Sequence, residues 1–298
     1  MEQLSLVEAM GCQRWNRGRE FYRPIGETID TTKYGVELIE ERAARQFVYE
    51  HHYARSLPPT RVRVGLMRAG RFLRPELVGV AVFSVPVQAQ ALPCYFGVGN
   101  DEGVELGRLV LLDDVESNGE SFFVSKACKL LKAELPSIKA VLSYSDPMER
   151  RNSQGELVKR GHGGSVYRSL SASYMGRSSK RRLVLDSRGC VISERSLSKL
   201  RNDESGAAGA YRMLLEAGAP RRMLGEDGPE YVRRALLEGP FRSMRHPGNL
   251  TFGWAIGSRS ERQSVRRVIR ALPYPAYPQN TGVAITQPGH VTFDTAGR

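Results

Sequence analysis

Two charged residues stand at positions where an apolar strand does not ordinarily hold charge. Asp146 follows the segment "AVLSYS" and precedes Pro147, so its carboxylate lies at the tip of a predicted strand. There it could act as a base, accept a hydrogen bond from an exocyclic amine, or simply close an Asx turn. Arg108 lies inside "ELGRLVL". A permanent charge there requires an anion, or a buried carboxylate partner such as Asp113 or Asp146.

Further polar groups follow the ends of other predicted elements. His52, Tyr53 and Arg55 end a predicted helix, although a lone histidine is more often structural than catalytic. The turn Gly161-His162-Gly163-Gly164 opens a helix that carries Tyr167, and its backbone amides could bind an anion. Because side chains at the carboxyl ends of adjacent strands converge in open sheets, we expect one shared site. The predicted donor- or substrate-binding residues are Ser145, His162, Gly163, Gly164 and Arg55.

The elements that position these residues alternate between strand and helix, which predicts an α/β fold with a central mixed sheet flanked by helices. Strands are predicted at "YGVELI", in a hairpin of "RVRVGLMR" and "LVGVAVFSV", and at 104–112 and "IKAVLSYS". A helix runs through "EERAARQFVYEHHYA". Ser117 and Glu120 predict a capping box for a second helix with Phe123, Ala127, Leu131 and Leu135 on one face. A helix after Gly164 and the strand "RRLVLD" complete the core.

Changes in composition predict four segments. Residues 1–33 form a polar N-terminal arm and residues 34–202 the catalytic core. Residues 203–272 form an Arg-rich extension that packs on the core, with short helices, a late strand "LTFGWAIG" and a helix "SERQSVRRVIRAL". Residues 273–298 form a Pro/Gly-rich tail, predicted to be extended or disordered.

The positive charge is concentrated in two regions. The formal net charge is +12, and residues 143–182 and 212–270 together account for all of it. Of the basic residues 36 are Arg, which suits bidentate contacts with phosphates and base edges. A GC-rich genome could explain the Arg ratio but not the clustering. We predict duplex DNA as a partner, contacted through Arg150, Arg151, Lys159, Arg160, Arg168 and Arg177.

Several classes of protein are disfavoured. Cys12, Cys94, Cys128 and Cys190 are far apart and form no CxxC pair, so neither a disulfide framework nor a zinc site is indicated. No metal is predicted. The N-terminus lacks an apolar signal segment and no stretch is long enough to cross a bilayer, so we expect a soluble cytoplasmic protein without a membrane partner.

Four motifs in order resemble one family. "HHYARSLP", "ELGRLVL", "LSYSDP" and "GHGGSVYRSLSASYMGRS" resemble the Mom-type DNA-modification proteins of bacteriophages, over about residues 34–185, with a looser similarity in "HPGNLTFGWAIG" and "LPYPAYP". The resemblance implies a GNAT-like acyltransferase fold. It also implies conversion of adenine in phage DNA to N6-carbamoylmethyladenine, which hides the genome from host restriction. The residues that it places at functional positions, predicted to be catalytic, are His52, Tyr53, Arg108, Asp146 and Tyr167.

One departure bears on the group donor. GNAT enzymes bind the pyrophosphate of acetyl-CoA on a glycine-rich loop before a helix, but here that place reads "DDVESNGESFF", which is rich in carboxylates. Acetyl-CoA is therefore disfavoured. A glycyl group on N6 is an isomer of the carbamoylmethyl product, so glycyl-tRNA is the favoured donor. A tRNA partner would also give the second basic region a ligand.

Two other functions remain open. "SDPM" distantly resembles the D-P-P-Y motif of N6-adenine methyltransferases, with "YFGVG" as the only candidate methyl-donor loop. A non-catalytic DNA-binding protein would need only the net charge, and it predicts that Arg108 and Asp146 are dispensable. The nature of the modified adenine separates these functions.

Overall fold

The computed structural model describes residues 10–16, 19–24, 28–70, 74–159 and 161–275. The strands are β1 Met10–Asn16, β2 Arg19–Pro24, β3 Tyr34–Leu38, β4 Thr60–Arg68, β5 Glu76–Ser84, β6 Gly103–Leu111, β7 Ala140–Ser145, β8 Arg150–Arg151, β9 Leu157–Lys159, β10 Ser173–Arg177, β11 Arg181–Leu185, β12 Val191–Ile192, β13 Arg242–His246 and β14 Leu250–Ala255. The helices are α1 Glu41–His51, α2 Ala91–Phe96, α3 Gly119–Glu134, α4 Ser165–Ser169, α5 Glu194–Arg201, α6 Ala207–Glu216, α7 Gly228–Glu238 and α8 Arg259–Val268.

A seven-stranded sheet in the order β10-β14-β7-β6-β5-β4-β3 forms the centre. All its neighbours are antiparallel except β6 and β7, which are parallel. The continuous apolar run of β5 is buried on both faces, because Val78 and Phe83 pack in the main core while Val80 and Val82 pack with α1. Phe123, Ala127 and Leu131 of α3 are buried in the main core on the opposite side from α1. The predicted α/β class with a mixed sheet is confirmed.

A bulge in β6 and a divergence of two strands create the space for a site. Glu105 pairs with Ser84 and Arg108 with Val82, so Gly107 is one residue more than β5 can match. A Cβ at Gly107 would lie 2.6 Å from Ser84 Oγ. The bulge places Glu105 and Arg108 on the same side of the sheet, facing the end of α1.

Strands β6 and β7 pair over Gly103–Glu105 and Ala140–Leu142. Beyond these residues the two parallel strands diverge. The hydroxyl of Ser143 donates to the carbonyl oxygen of Leu106 at 3.0 Å, at the start of the gap between them. The wedge between β6 and β7 is therefore bordered by the residues that follow Glu105 and Leu142.

A smaller layer follows the central sheet in the chain. Strands β12, β11 and β13 form a three-stranded sheet, and α5, α6 and α7 pack around Leu197, Leu214 and Tyr231 in a core of their own. Strand β14 then returns between β10 and β7. The division at residues 202 and 203 stays a prediction, but the late strand of the extension lies inside the central sheet.

Two local predictions are wrong. The segment "RRLVLD" does not complete the central sheet: β11 belongs to the three-stranded sheet, and the strand that does follow α4 into the central sheet is β10. Ser117 is not the N-cap residue of α3, as the predicted capping box required. Asn118 precedes the helix in a left-handed conformation with φ of 66° and makes no side-chain capping bond, so Ser117 is one residue too early.

The outer segments are described only in part. Strands β1 and β2 of the predicted arm form an antiparallel hairpin. Residues 276–298, most of the predicted tail, lie outside the described residues, as does Arg160. No helix in the described ranges is long and apolar enough to cross a membrane.

Candidate active site

Asp146, directly after β7, is the centre of a buried charge cluster. Its Oδ1 accepts from His246 Nε2 at 2.9 Å and from the backbone N–H of Met148 at 3.0 Å, which closes an Asx turn. Its Oδ2 lies 3.4 Å from Lys159 Nζ and 3.5 Å from Arg150 Nη2. Burial raises the pKa of Asp146, but Lys159 and the hydrogen bonds outweigh burial and lower it below its usual value. The carboxylate is therefore an ionised anchor with its acceptor positions occupied.

Arg150 and Lys159 are buried, whereas the sequence predicted an exposed phosphate-binding surface. Their relative exposures are 6% and 2%. Lys159 donates to the carbonyl oxygens of Asp146 at 2.9 Å and Met148 at 2.8 Å, and burial lowers its pKa to about 8. Arg150 Nε is buried and has no hydrogen-bond partner among the described residues. The prediction that these two residues lie on an exposed DNA-binding surface is wrong. Both cations are buried as counterions of Asp146.

The imidazole of His52 is a neutral hydrogen-bond donor. Its Nδ1 accepts from the backbone N–H of Ala54 at 3.0 Å, so the ring proton is assigned to Nε2. Burial and the nearby charge of Arg108 hold its pKa well below the usual value. His52 therefore presents an Nε2–H group at neutral pH.

His162 has the opposite tautomer. Ser145 Oγ donates its only proton to the carbonyl oxygen of His162 at 2.5 Å, so the 2.7 Å contact between Ser145 Oγ and His162 Nδ1 requires a proton on Nδ1. The lone pair is then on Nε2. Burial and the charge of Lys159 lower the pKa of His162 to about 4. The site thus holds one imidazole that can donate a hydrogen bond and one that can accept a proton.

Two phenols, the half-buried Tyr53 and the buried Tyr167, add donors. The ring of Tyr53 lies 4.3 Å from His52 and is covered by Arg150 at 5.2 Å and Lys159 at 5.5 Å. Burial, with the charge of Asp146, raises the pKa of Tyr53. Tyr167 packs on Phe252 at 5.2 Å, and burial raises its pKa to about 12 despite its hydrogen bond with Ser143. Both phenols remain protonated at neutral pH. Because Ser143 Oγ donates to Leu106, the Tyr167 hydroxyl donates to Ser143, and it would turn from Ser143 to a developing oxyanion.

Arg108 is fixed by the segment after α1. Its Nε donates to the carbonyl oxygen of Ser56 at 2.8 Å and its Nη2 to Ser56 Oγ at 3.1 Å. Its Nη1 donates to the carbonyl oxygen of Gly107 at 2.6 Å. These hydrogen bonds go to neutral groups rather than to Asp113 or Asp146, the two partners that the sequence suggested. Burial lowers the pKa of Arg108, and Tyr53 and Glu105 partly oppose that effect.

Sequence reasoning missed two residues of the site. Glu105 shares the side of Arg108 because of the bulge, and burial raises its pKa to about 7 against the opposing charge of Arg108. His246 is a hundred residues from Asp146, and its Nδ1 accepts from the backbone N–H of Gly248 at 3.1 Å. The sequence feature that could have indicated His246 is the stretch "HPGNLTFGWAIG", which begins with it. The feature that could have indicated the bulge is the glycine between Glu105 and Arg108.

The remaining predicted residues have other surroundings. Gly164 precedes α4 with φ of 79°, and a Cβ there would lie 2.4 Å from Phe252 Cε2, so close packing accounts for this glycine. Arg151, Arg168 and Arg177 are exposed and stay predicted DNA contacts. Arg55 is exposed with φ of 45°. Gly163 is half-buried, and its predicted role stays a prediction.

A metal centre is not evident in the part of the chain that the structure describes. No three or more His, Cys, Asp or Glu side chains there are grouped so that they could hold a metal ion. The chemistry available from the described site is that of three imidazoles, two phenols, two carboxyl groups and Arg108.

The family comparison matches the part of the chain that carries this site. The Mom protein family matches residues 33–216, more than half of the chain. The chain belongs to the Mom protein family. Membership implies modification of adenine in DNA. Residues 33–216 include His52, Arg108, Asp146 and Tyr167, but not His246.

Comparisons with other proteins are more distant. A tandem GNAT protein from the clavulanic acid biosynthesis pathway is 8% identical with a TM-score of 0.38, covering 76% of this chain and 99% of its own. Malonyl-CoA decarboxylase from Rhodopseudomonas palustris is 12% identical with a TM-score of 0.32, covering 80% of this chain and 60% of its own. Both similarities are too low to carry an argument about this chain. No curated protein matches it.

Proposed function

We propose that this Mom-family protein converts adenine in phage DNA to N6-carbamoylmethyladenine by transfer of a glycyl group, protecting the genome from host restriction. The observation that carries the proposal is the pair of neutral imidazoles with opposite tautomers beside the wedge. His162 Nε2 can accept a proton, and His52 Nε2–H can donate a hydrogen bond to an oxyanion, at the same pH. Acyl transfer to an amine requires both functions.

In the first step the N6 nitrogen of adenine attacks the ester carbonyl of an aminoacyl donor. The N6–carbonyl bond forms and the ester C–O bond breaks. His162 Nε2 takes the proton lost by N6 and passes it to the departing ribose oxygen of the donor, which leaves as a hydroxyl. We assign stabilisation of the oxyanion to His52 Nε2–H and the phenol of Tyr167, which are donors at neutral pH.

In the second step the glycyl amine attacks C6 through a five-membered ring. The new bond joins the glycyl nitrogen to C6, and the bond between C6 and the original N6 breaks. The original N6 becomes the terminal amide of the product. This rearrangement needs a proton removed from the attacking amine and one delivered to the departing nitrogen. Glu105 is suited to both transfers because its pKa is about 7.

The segment before α3 supports glycyl-tRNA over acetyl-CoA as donor. Asp114 Oδ2 pairs with Arg68 at 2.8 Å and Glu116 accepts from the hydroxyl of Tyr34 at 2.5 Å. These contacts hold carboxylates near the entry to α3, where a GNAT enzyme needs bare amides for a pyrophosphate. A pyrophosphate would meet negative charge there.

The product is tested with DNA from cells that express the protein. Mass spectrometry of its nucleosides should detect adenine enlarged by a carbamoylmethyl group. The matched control is Tyr167→Phe, which keeps the ring packing and loses the hydroxyl, and should give much less product. Methylated adenine alone would establish the methyltransferase alternative. Unmodified adenine in several hosts would refute both enzymatic functions and leave DNA binding.

The donor is tested with purified protein and isotopes. Glycyl-tRNA labelled at the glycine nitrogen should place the label on C6 of adenine, and label in the original N6 should appear in the terminal amide. Acetyl-CoA should give no product. Activity that survives ribonuclease treatment, or label arriving from acetyl-CoA, would exclude glycyl-tRNA as donor.

A further inference from the structure

A cleft lies beside His52 and Tyr53, and the reaction described above assigns no ligand to it. Its volume is about 350 Å³, and it lies between the end of α1 and the hairpin of β8 and β9. His51, His52 and Tyr53 line the α1 side with rings. Leu157 and Val158 line the hairpin side with aliphatic groups. A slot with one ring-lined wall and one aliphatic wall fits a flat aromatic ligand.

The rim of the cleft carries cations at fixed positions. Arg188 Nε and Nη2 bind Asp186 Oδ2 at 3.0 and 2.9 Å. Asp186 is 1% exposed and the Arg188 side chain 65% exposed, so a buried anchor holds an accessible guanidinium. Arg55 is the other exposed cation of the lining. The lining also includes the carboxylates of Glu50 and Glu156, and the two exposed guanidinium groups are the part of it that fits the phosphate of an aromatic ligand.

The cleft also offers a hydrogen-bond acceptor. Asn152 Nδ2 donates to Glu156 Oε2 at 2.6 Å, while Asn152 Oδ1 accepts from the backbone N–H groups of Gln154 and Glu156. The carbonyl oxygen and one N–H of the Asn152 side chain are thus engaged in the turn. Glu156 Oε1 remains as an acceptor for an exocyclic amine, which adenine has at C6.

We propose that this cleft receives the target adenine nucleotide after it has rotated out of the DNA duplex. The proposal rests on the proposed function and adds where and in what state the base binds. A base inside the stack is paired through N6 and is out of reach of buried imidazoles. Because His52 belongs both to the cleft lining and to the two imidazoles assigned to the transfer, a base in the cleft lies beside one of the reacting groups.

The first test fills the cleft and uses 2′-deoxyadenosine 5′-monophosphate as the probe. Leu157→Trp should weaken binding of this nucleotide at least about tenfold by occupying the slot, measured by ligand-observed NMR. Leu237→Trp is the matched control, because Leu237 is 83% exposed on α7 and lies outside the cleft. Duplex affinity should be unchanged in both variants, since the phosphate contacts on the surface remain.

The second test removes a rim cation and does not depend on how Leu157→Trp folds. Arg188→Gln should weaken binding of the nucleotide several-fold and binding of deoxyadenosine, which lacks the phosphate, much less. Arg195→Gln is the matched control, because Arg195 is also 65% exposed and paired with a carboxylate, Glu204. Arg195→Gln should change neither the binding of the nucleotide nor the binding of deoxyadenosine.

The outcomes separate the cleft from the reaction. Nucleotide binding that is abolished in Leu157→Trp and weakened in Arg188→Gln supports the cleft, even if the wild-type protein were found not to modify DNA. Wild-type protein that binds deoxyadenosine monophosphate no better than thymidine monophosphate would overturn the proposal. So would full modification of duplex DNA by a folded Leu157→Trp variant.

Discussion

The two basic regions of this chain have the same formal excess of charge and use it in opposite ways. In residues 143–182, Arg150 and Lys159 are buried against Asp146. In residues 212–270, α8 carries Arg259, Arg262, Arg266 and Arg267, and only Val265 of this helix is buried. One region uses part of its charge to hold the site together, and the other presents it to solvent. Net charge therefore predicts an anionic partner without locating the surface that binds it.

The largest expected effect comes from removing the anion that the buried cations share. Asp146→Asn keeps the shape of the side chain but leaves Lys159 and Arg150 without a buried counterion. We expect the free energy of unfolding to fall by about 3 kcal/mol, because breaking a buried ion pair leaves an uncompensated charge. Denaturant unfolding measures this change. Glu194→Ala is the control: it breaks the exposed pair of Glu194 with Arg201 and should alter stability little.

Loss of activity in Asp146→Asn would be informative only alongside that stability measurement. If the variant were as stable as the wild type and fully active, Asp146 would be neither the charge anchor nor a catalytic group. Residues 143–182 would then not depend on buried charge to hold the site together, and the difference between the two basic regions would be lost.

The second effect concerns the proposed general base, His162. His162→Asn preserves a donor at the Nδ1 position for Ser145 but removes the Nε2 lone pair. We expect the rate of adenine modification to fall about 100-fold with little change in duplex affinity, since general base catalysis is typically of this size. Single-turnover kinetics measures the rate. An unchanged rate in a folded variant would mean that another group is the general base.

The sequence predicted the strands and longer helices because their periodicity is strong. The continuous run of β5, the alternation of β4 and the apolar face of α3 are all present. It failed where one residue decides the outcome: Asn118 in a left-handed conformation moves the start of α3, and Gly107 as a bulge moves Glu105 to the side of Arg108. A strict period of two places Glu105 and Arg108 on opposite faces.

Prediction of the site was limited in a similar way. His52 at the end of α1, Asp146 after β7 and the charge of Arg108 inside β6 were visible in the sequence, and the structure brings these residues near one another; their catalytic roles stay predictions. His246 could not be paired with Asp146, because β13 and β14 follow the three helices of the smaller layer before β14 enters between β10 and β7. The burial of Arg150 and Lys159 was equally hidden, since a short hairpin rich in charge ordinarily lies in solvent.

A smaller effect concerns the pH dependence of the reaction. Burial raises the pKa of Glu105 to about 7, so its carboxyl gains charge as the pH rises through 7. If the deprotonated form is the base, the rate should rise across about pH 6–8, and Glu105→Gln should remove this rise and lower the rate about tenfold. Glu102→Gln is the control, because Glu102 lies just before β6 but pairs with Lys139 at the surface. A rise that persists in Glu105→Gln would assign the titration to another group.

The smallest effect per residue, and the one that compares the two basic regions directly, is the salt dependence of duplex binding. Changing Arg151, Arg168 and Arg177 together to Gln should lower the slope of log affinity against log salt by about 0.9 for each phosphate that the variant no longer neutralises. Each of these residues is exposed, unlike Arg150 and Lys159, so the fold should survive.

The matched triple change is Arg262, Arg266 and Arg267 of α8. If the first triple flattens the slope and the second does not, the duplex lies on the surface around the site and α8 remains available for the tRNA donor. The reverse result would place the duplex on α8. Equal reductions would mean that one duplex spans both regions, which would exclude the use of α8 as a separate tRNA surface.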